Sequence, residues 1–583
     1  MKVTKEGRGR TRLLNKLWKF QLEKGFISDA DVRRLSRELD IPVVEITGVI
    51  SFYHFFSRKP RGKFAIYLNN SIVSEIKGFE KVKEAFEKET GTKFGSVDPT
   101  GTFGLFETSC IGLSDQEPAA LINFVPFVNL TPKKIKNLIS GLKSGKSLKK
   151  LAEPVTDHIR YTNGENAVLF KPYEIAAALK NMLKMSPYEV IEEMKWSQLS
   201  GRGGAFFPTG LKWDFCRKAL GMQKYIICNA DEGEPGTFKD RVLLNQMPGL
   251  LLEGMITAAY AVGATKGVIY LRAEYRYLKD KLEDTIQKFY DIGLLGVEIM
   301  GHQGFDFDVR VQMGAGAYVC GEETALIESL EGKRGEPRTK IYFPVEKGFQ
   351  NKPTVVNNVE TFCAAARIME MGAPDYRALG TSKTSGTKLL SISGDCAKPG
   401  IYEIEWGMTI SEMLDLCGAK KPHFIQFSGP SGTVLSASKD RNRQICREDV
   451  MCGGSVMIFN DKRDIFKILT NFSKFFINES CGLCTPCRAG NYLVGRKLEK
   501  IDNGMATGQD IAEIKNWSKI IQATSRCGLG KTSTNFILSS YDKFPEVFDE
   551  KTNSRSEAEK EFNTEDYIHD YIDFVNKQQG TKV

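Results

Sequence analysis

The side chains with the clearest chemical signature are four cysteines. Cys481, Cys484 and Cys487 stand in ESCGLCTPCRAG with C-x2-C-x2-C spacing, and Cys527 follows at a distance in TSRCGLG. Two C-x2-C steps sharing a middle cysteine put three thiolates around one face of a cubane, and a remote fourth closes it. Structural zinc more often takes separated C-x2-C pairs. The spacing favours a [4Fe-4S] cluster, with structural zinc and unligated core cysteines as the alternatives. The chain has 13 cysteines in all; the others stand apart from one another, which speaks against a secreted disulfide framework.

Four further segments are rich in glycine or short polar side chains. GRGGAFFPTGLKW sets Gly201, Gly203, Gly204 and Gly210 around Arg202 and Lys212, a backbone and a pair of cations suited to a phosphate. KYIICNADEGEPGTFKDR reads as a buried strand, Tyr225 to Cys228, with Asn229, Asp231, Glu232 and Glu234 at its carboxyl end, where open α/β sheets bind ligands. In FDVRVQMGAGAYVCGEETALIESLEG an alternating strand meets Gly314 and Gly316 and a helix then opens at Glu322 and Glu323. Those two acids would also serve simply to complement the helix dipole. KPTVVNNVETF places Asn357, Asn358 and Thr361 after a strand. Each segment alone is weak, but four loops that follow strands can converge on one nucleotide.

The elements carrying these loops belong to a large globular chain. Its 583 residues, 41% hydrophobic and 26% charged, are enough for roughly four domains. The most apolar stretch, Leu250 to Ala264, contains Glu253 and Gly254 and reads as a buried helix, and no membrane span is expected. The basic N-terminus runs into a segment broken by Lys16, Lys19 and Lys24, so no signal peptide is expected and the reading is cytoplasmic. Net charge is only +9, with 81 basic and 72 acidic residues, and suggests no nucleic-acid role. One lysine cluster, Lys133, Lys134, Lys136, Lys143, Lys146, Lys149 and Lys150, accompanies apolar Ile135, Leu138, Ile139 and Leu142 at helical spacing. Thr131 stands as N-cap and Pro132 at the first helical position. A solvated helix face is the favoured reading and a phosphate-binding stripe the alternative.

Together the four segments and the cysteine quartet, from about residue 163 to 548, resemble the NADH-oxidising flavoprotein component of respiratory complex I. The same family includes the diaphorase subunits of NAD-reducing hydrogenases and of NAD-dependent formate dehydrogenases. The resemblance implies FMN held by Gly201, Arg202, Gly203, Gly204, Lys212, Asn229, Asp231, Glu232, Tyr318, Gly321, Glu322, Val356, Asn357, Asn358 and Thr361. It implies NADH stacked near Phe207, Phe215 and Phe343, with Glu234, Glu323 and Lys340 at its ribose or phosphates. Arg202 and Lys212 are expected to neutralise phosphate or flavin charge. Phe206 departs from the family, which usually has glycine there, and is expected to crowd the loop beside the nicotinamide. NADH gives two electrons as hydride and an iron-sulfur cluster takes one, so a flavin stands between them. No covalent nucleophile and no indispensable proton-abstracting residue is expected; Glu234 and Glu323 are the candidates for positioning NADH. An acid near the ribose disfavours a 2′-phosphate, so NAD is favoured over NADP.

A second resemblance covers the chain before residue 160. LLNKLWKFQLEKGFISDADVRRLSRELDIPVVEITGVISFYHFF, including Gly48, Val49, Ser51, Phe52, Tyr53 and Phe56, looks like the helical start of the thioredoxin-like 24 kDa-type subunit of complex I. That family binds [2Fe-2S] through four cysteines. Here the matching positions are Asn69, Ser74, Cys110 and Ser114, so no [2Fe-2S] centre is expected and the domain is read as a docking wedge.

The expected fold is α/β and multidomain. A helical bundle over 1–57 precedes a thioredoxin-like domain over 58–156 and, after a linker near 157–165, a Rossmann-like FMN and NADH domain over 157–385. A β-grasp (SLBB-like) domain over 386–464, a helical [4Fe-4S] domain over 465–548 and a tail over 549–583 follow. In the tail Tyr567, Ile568, Tyr571, Ile572 and Val575 recur at helical spacing after Thr564, Glu565 and Asp566, a helix that either packs on the body or binds a partner. The expected function is a NAD(H):acceptor oxidoreductase, or diaphorase, passing single electrons through a [4Fe-4S] cluster to or from iron-sulfur and hydrogenase subunits. Fusion of the two domains favours the hydrogenase branch. A formate dehydrogenase or complex-I-like partner is the alternative, and a zinc-stabilised nucleotide-binding scaffold the remote one.

Overall fold

The structure, a computed structural model, describes residues 9–553 and residue 569. The helix expected over residues 557–583 falls almost wholly outside the described residues.

Three helices open the chain: Leu13–Lys24, Asp29–Leu39 and Val43–Phe52. The second starts at a capping box, Ser28 with Asp31, which satisfies two otherwise orphaned amides. These helices bury Leu17, Trp18, Val49 and Tyr53 against the loop after a strand far along the chain. The Trp18 indole donates to Gly314 O at 2.9 Å, and His54 N and Phe55 N donate to Gly316 O and Ala315 O. Gly316 has φ +82°, and a Cβ there would run into the Phe55 ring, so glycine alone permits this contact.

Strands β1 (Phe64–Asn69), β2 (Phe103–Thr108), β3 (Ala120–Ile122) and β4 (Val125–Phe127) form a sheet of order β2-β1-β3-β4. Helix Pro132–Lys143 packs on it through Ile135, Leu138, Ile139 and Leu142, and Thr131 accepts from Lys134 N at its start. The accompanying lysines lie outside this buried stripe, as expected of a solvated face. Strand β5 (Ile159–Tyr161) then pairs parallel with a strand of a later sheet, so the stretch expected to be a linker is structured. Arg241, Asn245 and Gln246 all donate to the Asp157 carboxylate just before it.

The central sheet contains β6 (Tyr225–Ala230), β7 (Lys266–Leu271), β8 (Asp308–Met313) and β9 (Thr354–Asn358) in the order β8-β7-β6-β9, all parallel. Strand order reverses between β6 and β9, so a crevice opens at their carboxyl ends. Helix Pro248–Val262, buried along almost its whole length, packs on helix Val359–Met371 behind the sheet. Among the described residues no helix is long and apolar enough to cross a membrane.

Strands β10 (Thr387–Gly394), β11 (Gly400–Glu405), β12 (Pro422–Phe427), β13 (Thr433–Ser436) and β14 (Ser455–Asn460) join β5 in a six-stranded sheet of order β13-β12-β14-β10-β11-β5. Ile392, Ile404, Trp406, Ile425 and Ile458 fill a core of its own. Helices Ile465–Glu479, Thr485–Asp502, Gly508–Thr524 and Asn535–Lys543 complete the fold.

Candidate active site

The four loops meet at the carboxyl edge of the central sheet. Asn229, at the end of β6, donates through Nδ2 to Gly321 O at 2.8 Å and accepts from Asp231 N at 3.1 Å. Lys212, on the helix Thr209–Lys218, reaches Val356 O on β9 at 3.0 Å and Glu323 at 3.4 Å. Arg202 N donates to Thr361 Oγ1 at 2.9 Å, and a Cβ on Gly203 would press on Asn358. Trp213, which sequence reasoning missed, donates to Asn357 Oδ1 at 3.1 Å. Its only signal was a tryptophan next to Lys212 on a helix whose other face is exposed.

Several acids take on roles inside the protein. Glu322 is the N-cap of the helix Glu323–Leu330, accepting from Thr324 N and Ala325 N, so the dipole-complementing reading holds for it. Glu232 turns away from the crevice, accepting from Asp240 N, Arg241 N and Tyr275 Oη. Burial raises its pKa to about 7, with Asp240 adding to the effect. Glu234 accepts from Tyr318 Oη and from Ser431 N, and burial raises it to about 7. Asp231, raised to about 8 by burial, keeps Oδ2 without a hydrogen-bond partner, as does Glu322 at Oε1.

Besides the flavin role expected of Glu232, whose carboxylate is taken up by Asp240 N, Arg241 N and Tyr275, two expectations need correction. Arg202 is not available to a phosphate: its guanidinium is buried, donates to Ser200 O, Tyr376 Oη and Ser385 O, and lies 5.3 Å from the Trp406 ring. A cation with this many buried partners cannot swing into the crevice without leaving them unpaired. Phe206 does not crowd the crevice either. Its ring is buried in the core of the β-grasp sheet, 6.2 Å from Trp406.

FMN fits what remains. Gly204, at φ +102°, faces open space where a Cβ would meet nothing within 4 Å. Lys212 supplies a cation, Asp231 Oδ2 has no hydrogen-bond partner, and Glu322 Oε1 has only the Lys340 ammonium at 3.7 Å. The rings of Phe207, Phe215 and Phe343 are exposed at 43%, 49% and 57%, and Lys340 approaches Glu322 at 3.7 Å. The helix bearing Phe215 packs against the short helix Pro344–Lys347 that Phe343 opens.

The cysteines lie at the end of a physical connection from this crevice. Tyr318 N donates to Glu479 Oε2 at 2.9 Å, and Glu479 ends the helix that leads into Cys481. Ser109 of the N-terminal domain donates to the same carboxylate. A cavity of about 1090 Å³ lies behind the flavin loops, bounded by Cys110, Asp231, Arg272, Tyr318, Glu479 and Cys481. Cys481, Cys484 and Cys487 flank the start of the helix Thr485–Asp502, and Cys527 begins Gly528–Thr532. Burial, and then the neighbouring cysteines, hold the Cys481 thiol above its ordinary value, and Cys487 rises to about 12 chiefly through burial. Cys481, Cys484, Cys487 and Cys527 are near enough to raise one another's thiols, so the four residues predicted as one ligand set are brought together.

Comparison with known proteins bears on three regions of the chain and on the chain as a whole. Residues 194–367 match the Nuo51 FMN-binding domain, and residues 467–551 match the NADH-ubiquinone oxidoreductase-F iron-sulfur binding region. The chain is 51% identical over 554 residues to the NAD-reducing hydrogenase HoxS subunit alpha of Cupriavidus necator, covering 93% of this chain and 92% of that one. It belongs to the family of NAD-reducing hydrogenase alpha subunits. Within that family's wider circle, a NADH-quinone oxidoreductase subunit of Aquifex aeolicus is 44% identical over 377 residues, 64% of this chain and 88% of its own. A crystal structure of NAD+-reducing [NiFe]-hydrogenase in the H2-reduced state superposes with a TM-score of 0.88 at 36% identity, covering 93% of both chains.

One expectation is overturned by the same comparison. Residues 2–143 match the thioredoxin-like [2Fe-2S] ferredoxin family, which corrects the reading that this alpha-subunit relative has no [2Fe-2S] centre in its N-terminal domain. That reading rested on four positions, whereas the match runs through the whole domain. In the fold those positions are all buried, with Cys110 Sγ 3.6 Å from Ser114 Oγ and Asn69 Nδ2 donating to Glu117.

Proposed function

We infer that this chain is the diaphorase subunit of a NAD-reducing hydrogenase. It exchanges hydride between NAD(H) and FMN and passes single electrons through a [4Fe-4S] cluster to or from partner iron-sulfur and hydrogenase subunits. The observation that carries this reading is the convergence of all four loop segments at the switch point of the central sheet, tied through Tyr318 and Glu479 to the cysteine loop. The hydrogenase branch is favoured over a formate dehydrogenase or complex-I-like partner because the hydrogenase relative spans the N-terminal region as well, whereas the quinone-reductase relative covers 64% of the chain.

When bound, FMN supplies the conversion between a two-electron donor and a one-electron acceptor. The chain's own residues hold and orient. Gly203, Gly204 and the backbone of residues 201–204 would let the main chain approach the flavin, Lys212 would offset its charge, and Asp231 and Asn357 would help hold it, whereas the Asn358 side chain is engaged with Asp240, Lys239 and Glu360 N. Phe207, Phe215 and Phe343 would offer rings to the nicotinamide and adenine, and Glu234, Glu323 and Lys340 would contact ribose and phosphate. Acids at the ribose favour NAD over NADP. A cytoplasmic location accords with a soluble electron-transfer assembly.

The test is anaerobic. The chain, purified with whatever accompanies it, is assayed for FMN and iron and then mixed with NADH while flavin absorbance is followed. Bleaching upholds the reading; flavin that NADH does not reduce refutes it.

A further inference from the structure

The loop 200–208 is closed at its base, where Ser200 pairs with Pro208 and Gly201 N donates to Phe207 O at 2.9 Å. Within it, Phe206 has φ +53°, a left-handed conformation that a bulky aromatic adopts only when its surroundings impose it. Those surroundings belong to another domain. The Phe206 ring is 6% exposed and meets the Trp406 ring edge-on, at 6.2 Å between centroids and 63° between planes. Trp406 follows β11, is 2% exposed and leaves its indole N–H without a partner, so ring contacts rather than a hydrogen bond fix it. Arg202, at the other end of the loop, stacks over the same indole. Both ends of the flavin loop are therefore fastened to one tryptophan, and the residue after the buried ring is the exposed Phe207.

We propose that Phe206 and Trp406 form a latch that fixes the flavin loop on the β-grasp sheet and thereby sets the Phe207 ring for NADH. Phe206 is a positioning residue: its ring is buried in the core of the β-grasp sheet and acts through its neighbour. Glycine would relieve the backbone strain at this position, so a ring is kept there for what it holds. The inference rests on the NADH-binding reading given above.

The test uses the FMN-loaded chain and single-turnover reduction by NADH, comparing the unaltered protein with Phe206→Gly, Trp406→Leu and the double variant. Each single change is expected to raise the apparent Kd for NADH about tenfold while flavin content and the limiting reduction rate hold within about twofold, because orientation rather than the cradle is lost. The double variant is expected to be no worse than either single, as two halves of one contact are not additive. An unchanged Kd in both single variants overturns the latch, and so does a loss of flavin in parallel with rate at unchanged Kd. Should Phe206→Gly fail to fold, Phe206→Leu and Trp406→Phe keep the core filled and decide by the same criterion. If NADH does not reduce the unaltered protein, the functional reading falls instead, which separates the two failures.

Discussion

Glu234 offers the most direct check on the proposed nucleotide site. Its carboxyl is pushed up to about 7 because burial outweighs the hydrogen bonds from Tyr318 and Ser431. Both oxygens retain a lone pair, and a ribose hydroxyl donates more strongly to an ionised carboxylate than to a neutral carboxyl. With a pKa of about 7, roughly nine-tenths of the chains carry the ionised form at pH 8 and about one-tenth at pH 6. Apparent affinity scales with the competent fraction, so the Kd for NADH is expected to rise about tenfold as pH falls between these values, or about 1.4 kcal/mol. The folded protein without NADH shows the opposite trend. A carboxyl whose folded pKa is raised contributes stability that is fully present below the ordinary carboxylate range and is lost as pH rises through about 7. The assay is a pH series of stopped-flow flavin reduction for the native chain and Glu234→Gln, which removes the Glu234 contribution and leaves only the smaller slope owed to Glu232 and Asp231, raised to about 7 and about 8. A native Kd that does not change between pH 6 and 8, or a slope as steep in Glu234→Gln as in the native chain, refutes the assignment.

Cys484→Ser is expected to lower iron by about four per flavin, the content of one cubane, while NADH still bleaches the flavin; simultaneous loss of flavin would show that the two sites fold as one unit. Trp213→Phe removes the donor to Asn357 and is expected to weaken FMN binding by about 1 kcal/mol, read as a roughly fivefold higher dissociation constant. Lys388 is fully buried against Glu360, and burial lowers its pKa to about 8. Lys388→Met is expected to cost about 3 kcal/mol, the lower end for breaking a buried pair, because Glu360 keeps Lys239 at 3.0 Å and Leu389 N. Thermal unfolding of the FMN-loaded protein measures it, and an unchanged midpoint would contradict the expected cost.

The cysteine spacing and the polar segments at the ends of β6, β8 and β9 carry the chemistry legibly, because they are written over short stretches of chain, whereas the glycine-rich loop, expected after a strand, follows the helix Pro187–Trp196. Residues whose role depends on distant partners are misread from sequence. Arg202, in a glycine-rich loop, has the local look of a phosphate ligand, and nothing near it in sequence announces Tyr376, Ser385 or Trp406. Phe206 falls on the other side of its loop from the one its sequence suggests. The ring sits on a backbone at φ +53° and meets a tryptophan two hundred positions on, a contact nothing local in the sequence announces. Glu232 looks like its acidic neighbours, although the amides of Asp240 and Arg241 turn it inward. In the N-terminal domain, counting thiolates at four positions weighs less than the fold that carries them.

Strand β5 has a consequence for how such a chain can be divided. It closes the outer edge of the β-grasp sheet by pairing with β11, while Asp157 beside it is gripped by a helix of the central domain. A break after residue 162 would leave the front half owning a strand that the rear half needs, and would present β11 as a bare template for other chains. Gene fission or limited proteolysis at this junction should therefore yield two pieces that remain clasped together, held by β5 on one side and by the N-terminal helices against the loop at Gly314 and Gly316 on the other.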